Sequence, residues 1–276
     1  MIPDFYRLYQ ILANSYKPSQ ISKIALPSLI AQTHTNFEWV VINDRSNPDT
    51  RKIIEELSCP FELVYKEIPH ATQGFGLCHA RNQGLKLASG ELITYLDDDN
   101  YLEPEFVASS IKFYQQHPCT YTVTTQRRRR DIVKNQQKVT KGASFISPDK
   151  NATIEDFICQ KYYIDSNGFI HPRHNAPQWN PDYRIYADYE YFLQCIDRWE
   201  TEQFCINPVP LVNYIQTSLG IIGQSTYSEW VSELIQLKNS LNQYPIINQT
   251  KYIEKLGLLI SYYQKYLDKR IKAFAS

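Results

Sequence analysis

Apolar residues in this chain come in short runs, and the runs alternate between two periods. Residues 6–12, 37–42, 61–65 and 91–96 are compact, partly β-branched and bounded by polar turn formers, the signature of buried strands. Between them, residues 50–57 and 76–88 place apolar side chains at helical spacing. Residues 14–18 form a loop of turn formers. The helix after it has Ser19 or Ser22 as its cap and Ile24, Leu26, Leu29 and Ile30 as its buried face. Pro27 inside that helix predicts a kink or a later start. Strand and helix alternate throughout, so the expected class is α/β, with a mostly parallel central sheet flanked by helices on both faces.

Further along, the pattern predicts a helix over 104–117 and a strand over 119–125. From 131 to 181 it weakens into polar, aromatic, Pro- and Asn-rich sequence, the composition of binding loops. A helix over 187–199 and a strand over 204–214, broken by Pro208 and Pro210, come next. Two amphipathic helices over 227–241 and 247–271 close the chain. In the second, Ile253, Leu256, Ile260, Tyr263, Leu267 and Ile271 recur at helical spacing. That stripe would pack on the main domain or a dimer partner. With Lys251, Lys255, Lys265, Lys269, Arg270 and Lys272 beside it, a peripheral membrane contact is the alternative. The organisation expected is a main domain over 1–220, with halves at 1–100 and 101–220, and a C-terminal helical extension over 221–276. No internal repeat or low-complexity tract interrupts it.

Composition narrows the picture. The 29 basic and 29 acidic side chains balance, which removes a bulk electrostatic case for nucleic acid. Six Cys lie scattered with no Cys-x-x-Cys pair, which argues against a zinc site and for a reduced, cytoplasmic setting. The start, Met1-Ile2-Pro3-Asp4, lacks a basic region followed by an apolar one, so no signal peptide is expected. No apolar run approaches the roughly 20 residues that span a bilayer. The expected location is the cytoplasm, or the inner face of a membrane if the last helix touches lipid. The 21 Tyr can stack on sugar or base rings, although a phenol also packs a core edge.

The candidate chemistry gathers where the strand over 91–96 ends in Asp97-Asp98-Asp99. Three adjacent carboxylates repel one another, and a divalent cation relieves this. Alternation along a strand points Asp97 and Asp99 one way and Asp98 the other. Mg2+ takes a few carboxylate oxygens and leaves places for waters and substrate phosphates. Carboxyl ends of strands in open α/β sheets are also where ligands bind. The plainer alternative is an acidic turn capping the helix that begins near Glu103. The run Gln126-Arg127-Arg128-Arg129-Arg130 reads as a solvated loop, with a phosphate or anionic acceptor contact as the alternative. His171 and His174, beside Pro172 and Pro177, read as plain surface loop residues.

Several motifs in order resemble family 2 glycosyltransferases of the GT-A nucleotide-diphospho-sugar transferase fold, over about residues 6–214. Ser15-Tyr16, then Ala25-Leu26-Pro27-Ser28-Leu29-Ile30-Ala31-Gln32-Thr33, is similar to the family's opening. Val40-Val41-Ile42-Asn43-Asp44-Arg45-Ser46 resembles its Val-Val-Asp-Asp-Gly-Ser element. Ala80-Arg81-Asn82-Gln83-Gly84, then Ala88-Ser89-Gly90-Glu91, is similar to its Ala-Arg-Asn-x-Gly and Ala-x-Gly-Glu elements. Asp97-Asp98-Asp99 resembles its metal-binding Asp-x-Asp. Asp188 falls on the Asp of its Glu-Asp-Tyr-x-Leu-Trp-Leu element.

The resemblance implies an inverting transfer of one sugar from a nucleotide-diphospho-sugar, most simply a UDP-sugar, to a hydroxyl on a glycan, glycolipid or other acceptor. It implies nucleotide contacts by Ser15, Tyr16, Asp44, Arg81, Asp97 and Asp98. It also implies Mn2+ or Mg2+ on Asp99 and Asp97, and Asp188 as general base. A carboxylate within reach of the acceptor hydroxyl can take its proton as attack develops. A metal across the diphosphate stabilises the charge that grows on it.

The chain departs from the family at three places. Ala187 stands where Glu often precedes the base, Asn43 replaces the first Asp of an Asp-Asp pair, and Gln216-Thr217-Ser218 stands where Arg-x-His is often found. A catalytically degenerate protein that binds nucleotide or glycan is therefore the alternative reading. A nucleotidylyltransferase is disfavoured, because residues 12–16 contain no Gly. Gln194-Cys195-Ile196-Asp197-Arg198-Trp199 is one residue too long for the Gln-x-x-Arg-Trp of processive members, and a non-processive enzyme is expected.

Overall fold

Seven consecutive residues, Phe37–Asn43, are all buried in the computed structural model, as in a strand covered on both faces, and the buried Glu38 carboxylate among them accepts from the Ser89 N–H at 2.9 Å. Phe37, Trp39 and Val41 enter one core and Val40 and Ile42 the other, following the period of two. The structure describes residues 8–13, 20–44, 48–117, 119–134 and 138–267, the side chains of 8–13 and 138 excepted.

Four strands form the first half of the sheet: β1 (Leu8–Ala13), β2 (Phe37–Asn43), β3 (Glu62–Glu67) and β4 (Leu92–Tyr95). They lie in the order β3-β2-β1-β4 and are parallel throughout. The chain leaves β1 toward β2 and β3, then returns to the other side of β1 as β4. That reversal of strand order makes the carboxyl ends of β1 and β4 a topological switch point, where open α/β sheets have their ligand crevice. Asp97 follows β4 at that crevice. The loop after β1, with Ser15 and Tyr16, lies outside the described residues.

Beyond β4 the sheet becomes mixed. The further strands are β5 (Tyr101–Leu102), β6 (Tyr121–Lys134), β7 (Lys138–Thr140), β8 (Phe145–Ser147), β9 (Phe169–Pro172) and β10 (Phe204–Thr217). β9 runs antiparallel between β4 and β6, β10 is parallel to β6, and β5 closes the edge antiparallel to β10. Pro208 and Pro210 do not end β10; its pairing with β6 shifts register between Asn207 and Val212, where two missing N–H donors are tolerated.

Helices cover both faces, as expected. A π-helical turn at Ile21–Ala25 runs into α1 (Leu26–Ile30), which has Pro27 in its first turn and so explains the predicted kink. With α2 (Asp49–Glu55) and α4 (Phe106–Gln116) it packs one face through Leu29, Ile54 and Phe106. The other face receives α3 (Gly76–Leu87), the short α5 (Ile154–Ile158), α6 (Ala187–Trp199), α8 (Tyr227–Ser240) and α9 (Thr250–Gln264). The brief α7 (Ile221–Gln224) links β10 to α8. Leu256, Ile260 and Tyr263 of the predicted stripe are buried in that core and Ile253 packs partly against it, whereas Leu267 is exposed and Ile271 lies outside the described residues. No described helix is long and apolar enough to cross a membrane. No disulfide forms, and all six Cys are free thiols.

Two expectations are corrected. The basic run is not a solvated loop: it is the middle of β6, with Gln126 and Arg128 buried. β6 sits inside the sheet between β9 and β10, and pairing keeps these charges in place. His171 is not a surface loop residue either. It lies on β9 with no exposed surface, whereas His174 is exposed as expected.

Candidate active site

Arg81 sits at the centre of the site. It is 1% exposed on α3, a position that a guanidinium keeps only when its charge and its donors are met. Nη1 donates to Asp188 Oδ1 at 2.7 Å, and Nη2 donates to Asp97 Oδ1 at 3.2 Å and Ser166 Oγ at 2.6 Å. The guanidinium lies over the Trp179 ring at 4.2 Å and the Tyr95 ring at 5.4 Å. Burial works against its charge, but Asp188 and Asp97 outweigh burial and hold it above the usual arginine range. Asn82, the next residue, latches the loop above. Its amide donates to the Trp179 carbonyl at 2.8 Å, and its carbonyl accepts from the Trp179 N–H at 2.7 Å.

Asp97 is fixed from two sides. Its Oδ2 accepts from Asn167 Nδ2 at 2.8 Å, and its backbone N–H donates to Asn167 Oδ1 at 2.8 Å. Gly168, at φ +73°, turns the chain behind Asn167, and a Cβ there would meet Val212 at 2.5 Å. Asp165, two residues before Asn167, is buried and accepts from Gln126 Nε2 and Arg128 Nη1, each at 2.9 Å. Burial pushes the Asp165 carboxyl up to about 6 in spite of Arg128. Arg128 also stacks over Tyr214 at 4.2 Å. The basic run thus supplies the partners of a buried carboxylate.

Beneath Arg81 lies a polar aromatic layer. His171 Nδ1 donates to the Pro172 carbonyl at 2.9 Å, so Nε2 is the acceptor for the Tyr95 hydroxyl at 2.9 Å. Trp179 Nε1 donates to the Tyr95 hydroxyl, and Tyr191 stacks flat on Trp179 at 3.9 Å. Burial pushes His171 down to about 4 and holds its imidazole neutral.

A cavity of about 970 Å3 opens over this layer, lined by Arg81, Asp97, Asp98, Asp99, Asp165 and Asp188 at one end. That volume is in the range of sites for a molecule the size of a nucleotide-sugar. The lining also includes aromatic side chains, among them Tyr186, Trp230 and Tyr263. Five cavity-lining side chains, Phe145, Ile146, Tyr163, Leu219 and Tyr262, are large, apolar and exposed at its mouth.

The structure brings together Arg81, Asp97, Asp98, Asp99 and Asp188. Asp44 stands apart from that lining, buried past the end of β2. His70 Nδ1 lies 3.2 Å from its Oδ2, which faces the start of α3, where a Cβ on Gly76 would come within 3.3 Å. Asp188 lies in the first turn of α6 but does not cap it. Asn167, Ser166, Asp165 and Trp179 were not expected from the sequence, and Arg128 only as part of a basic run with an anionic contact as its alternative. The Asp-Ser-Asn-Gly run at 165–168, a turn composition in the middle of the weakly patterned stretch, is the one signal that could have pointed to them.

No group of three or more metal-ligating side chains occurs among the described residues. The donor set still fits a hard cation that takes one or two carboxylates and completes its shell from waters and phosphate oxygens. The turn Asp97-Asp98-Asp99 offers such oxygens to the cavity.

Comparison with known proteins gives a consistent result. The model of the family described as "Glycosyl transferase family 2" matches residues 20–184. An uncharacterized glycosyltransferase of Nostoc sp. is 27% identical over 150 residues, 54% of this chain and 45% of the relative. The UDP-Glc:alpha-D-GlcNAc-diphosphoundecaprenol beta-1,3-glucosyltransferase WfgD of Escherichia coli is 27% identical over 144 residues, covering 52% of each. The chain thus spans about half the length of these relatives. Staphylococcus aureus TarS (residues 1–349), solved with UDP-GlcNAc, superposes with a TM-score of 0.65 over 94% of this chain and 71% of that one, at 14% identity, which speaks to the fold alone.

Proposed function

The chain belongs to glycosyl transferase family 2, and from that premise we propose that it transfers one sugar from a nucleotide-diphospho-sugar, most simply a UDP-sugar, to an acceptor hydroxyl. The observation that carries this reading is Arg81, which joins Asp97 after β4 to Asp188 on α6 within one cavity. Donor-side and acceptor-side carboxylates thereby share a single space.

In the reaction as we read it, the acceptor oxygen attacks the anomeric carbon from the face opposite the diphosphate. The bond to the diphosphate oxygen breaks and the configuration inverts. Asp188 takes the acceptor proton. Arg81 occupies its Oδ1, so Oδ2 is the oxygen that would receive the proton. Asp99, with Asp97, would hold Mn2+ or Mg2+, which when bound neutralises charge on the leaving diphosphate. Asp44, Ser15 and Tyr16 would contact base and ribose. The apolar mouth of the cavity suits a glycolipid acceptor, the kind of molecule named for WfgD.

Titration calorimetry of UDP, with Mn2+ and with chelator, tests the donor half. We expect metal-dependent binding that Asp99→Ala abolishes. Asp188→Asn should keep UDP binding and lose turnover by at least about a hundredfold, the range of a general base. GDP or dTDP binding in place of UDP would move the donor. Silence with every nucleotide would sink the transferase reading.

A further inference from the structure

The helix that carries Asp188 starts without a cap of its own. Its N-cap is Tyr186, whose hydroxyl is too far out to serve, and no side chain caps it locally. A capping box would need Glu, Gln or Asp three residues on, and Tyr189 stands there. By contrast, α5 and α8 both begin with complete capping boxes, Thr153 with Asp156 and Thr226 with Glu229.

The backbone donors ahead of α6 are met from α8 instead. Glu233 Oε2 accepts from the N–H groups of Ile185 and Tyr186 at 2.9 Å each. The Arg184 N–H lies 3.2 Å from both carboxylate oxygens. We propose that Glu233 is a positioning residue: from another helix it anchors the backbone N–H groups of 184–186, up to the N-cap of the Asp188 helix, and so sets where that carboxylate stands. The inference rests on the reading of Asp188 as the base.

Neighbouring contacts point the same way. Glu229 Oε1 accepts from Arg184 Nη1 at 3.1 Å, and Ser240 Oγ lies 3.1 Å from the Tyr183 hydroxyl. Residues 229, 233 and 240 fall on one face of α8, which follows from helical spacing. Just past that helix, the Tyr244 hydroxyl donates to Glu190, one turn along α6. The match to the family ends at residue 184, where this set of contacts begins. The brace therefore belongs to the chain's C-terminal part.

Geometry gives the brace its consequence. Asp188 is the second residue of α6, so tilting the first turn moves its carboxylate away from Arg81 and from any acceptor. A general base works only within hydrogen-bond reach. Asp97 to Asp99 lie after β4, and Asn167 holds Asp97 from a side other than that turn.

The test uses the full chain with Glu233→Ala and Glu233→Gln. Three quantities are read: UDP affinity with Mn2+, turnover and donor KM with a UDP-sugar that the wild type uses, and backbone amide exchange over residues 184–190. We expect Glu233→Ala to lower turnover at least tenfold while UDP affinity and donor KM stay within about twofold. Amide protection should fall over 184–190 and nowhere else. Glu233→Gln, whose amide oxygen still accepts, should restore turnover to within about threefold of wild type. Unchanged turnover in Glu233→Ala, or a loss of UDP affinity equal to the loss of turnover, overturns the proposal. If the wild type turns over no nucleotide-sugar, whether of UDP, GDP or dTDP, the transferase reading fails and exchange alone decides. Protection lost only over 184–190 and regained in Glu233→Gln then supports the brace, and unchanged protection overturns it.

Discussion

The sheet has two halves that are stabilised differently. Around β1 to β4 the strands are parallel, and the buried side chains of β2 and β4 are mostly apolar: Trp39, Val40, Val41, Ile42, Leu92 and Ile93 have almost no exposed surface, with Glu38, Asn43 and Thr94 as the polar exceptions. Around β6, β9 and β10, polar groups share the interior with Val123, Phe169, Ile170 and Val212. Thr122, Thr124, Gln126, Arg128, Asp165, His171 and Asn213 are equally buried. The first half is held by removing apolar area from water, which is indifferent to pH. The second is held by hydrogen bonds and ion pairs whose members are costly when unpaired. The site lies on the seam, and Arg81 from the apolar half reaches across it.

The strongest way to break this arrangement is at the seam. Arg81→Met removes the one cation between Asp97 and Asp188 and should cut turnover by at least about a hundredfold. Leaving those carboxylates unpaired should also cost about 3–5 kcal/mol of stability, read by urea denaturation. Next comes Trp39→Ala in the apolar half, with an expected loss of about 3–5 kcal/mol. That loss should be the same at pH 4.5 and 7.5, since no charge is involved.

The polar half should respond to pH, in two opposed directions. Asp165 is raised to about 6 when folded, so its contribution is present below pH 3.8 and lost as pH rises through 6. His171 is depressed to about 4, so its contribution is present above pH 6.5 and lost as pH falls through 4. Between pH 4 and 6 the two slopes oppose each other in the wild type. His171→Phe should therefore make stability rise toward acid by roughly 3 kcal/mol, and Asp165→Asn should make it fall by a similar amount. Denaturation curves at steps from pH 4 to 6.5 read both. If both variants keep the wild-type profile, burial does not govern these groups. The smallest effect is at the C-terminal brace: Tyr244→Phe strips a donor from buried Glu190 and should cost about 1–3 kcal/mol.

The same contrast decides what was legible in the sequence. Strands β2 and β4 were readable because a short apolar run between turn formers has few ways to leave water except as a buried strand. The run Asp97-Asp98-Asp99 and the residues around Arg81 stood out by composition and order. The basic run did not read as a strand, because the partners that allow Arg128 to be buried, Asp165 and Tyr214, lie far away in sequence. His171 was hidden for the same reason: its burial is set by Tyr95, Tyr191 and the fold of β9. Glu233 carries no local mark, and Asn167 carries only its place in a turn composition. An Asn before Gly looks like any turn, and a Glu on an amphipathic helix looks like any solvated charge.

Arg81 has an evolutionary consequence. Its fork serves Asp97, Asp188 and Ser166 while its plane lies on Trp179. A lysine offers no such fork and no plane. Loss of either carboxylate weakens the hold on a buried charge, and loss of the arginine sets two carboxylates against each other. Each single step leaves charge unmet in the cluster, which disfavours dismantling it one residue at a time. Descendants of this sequence should keep all of these residues together or replace them as a group.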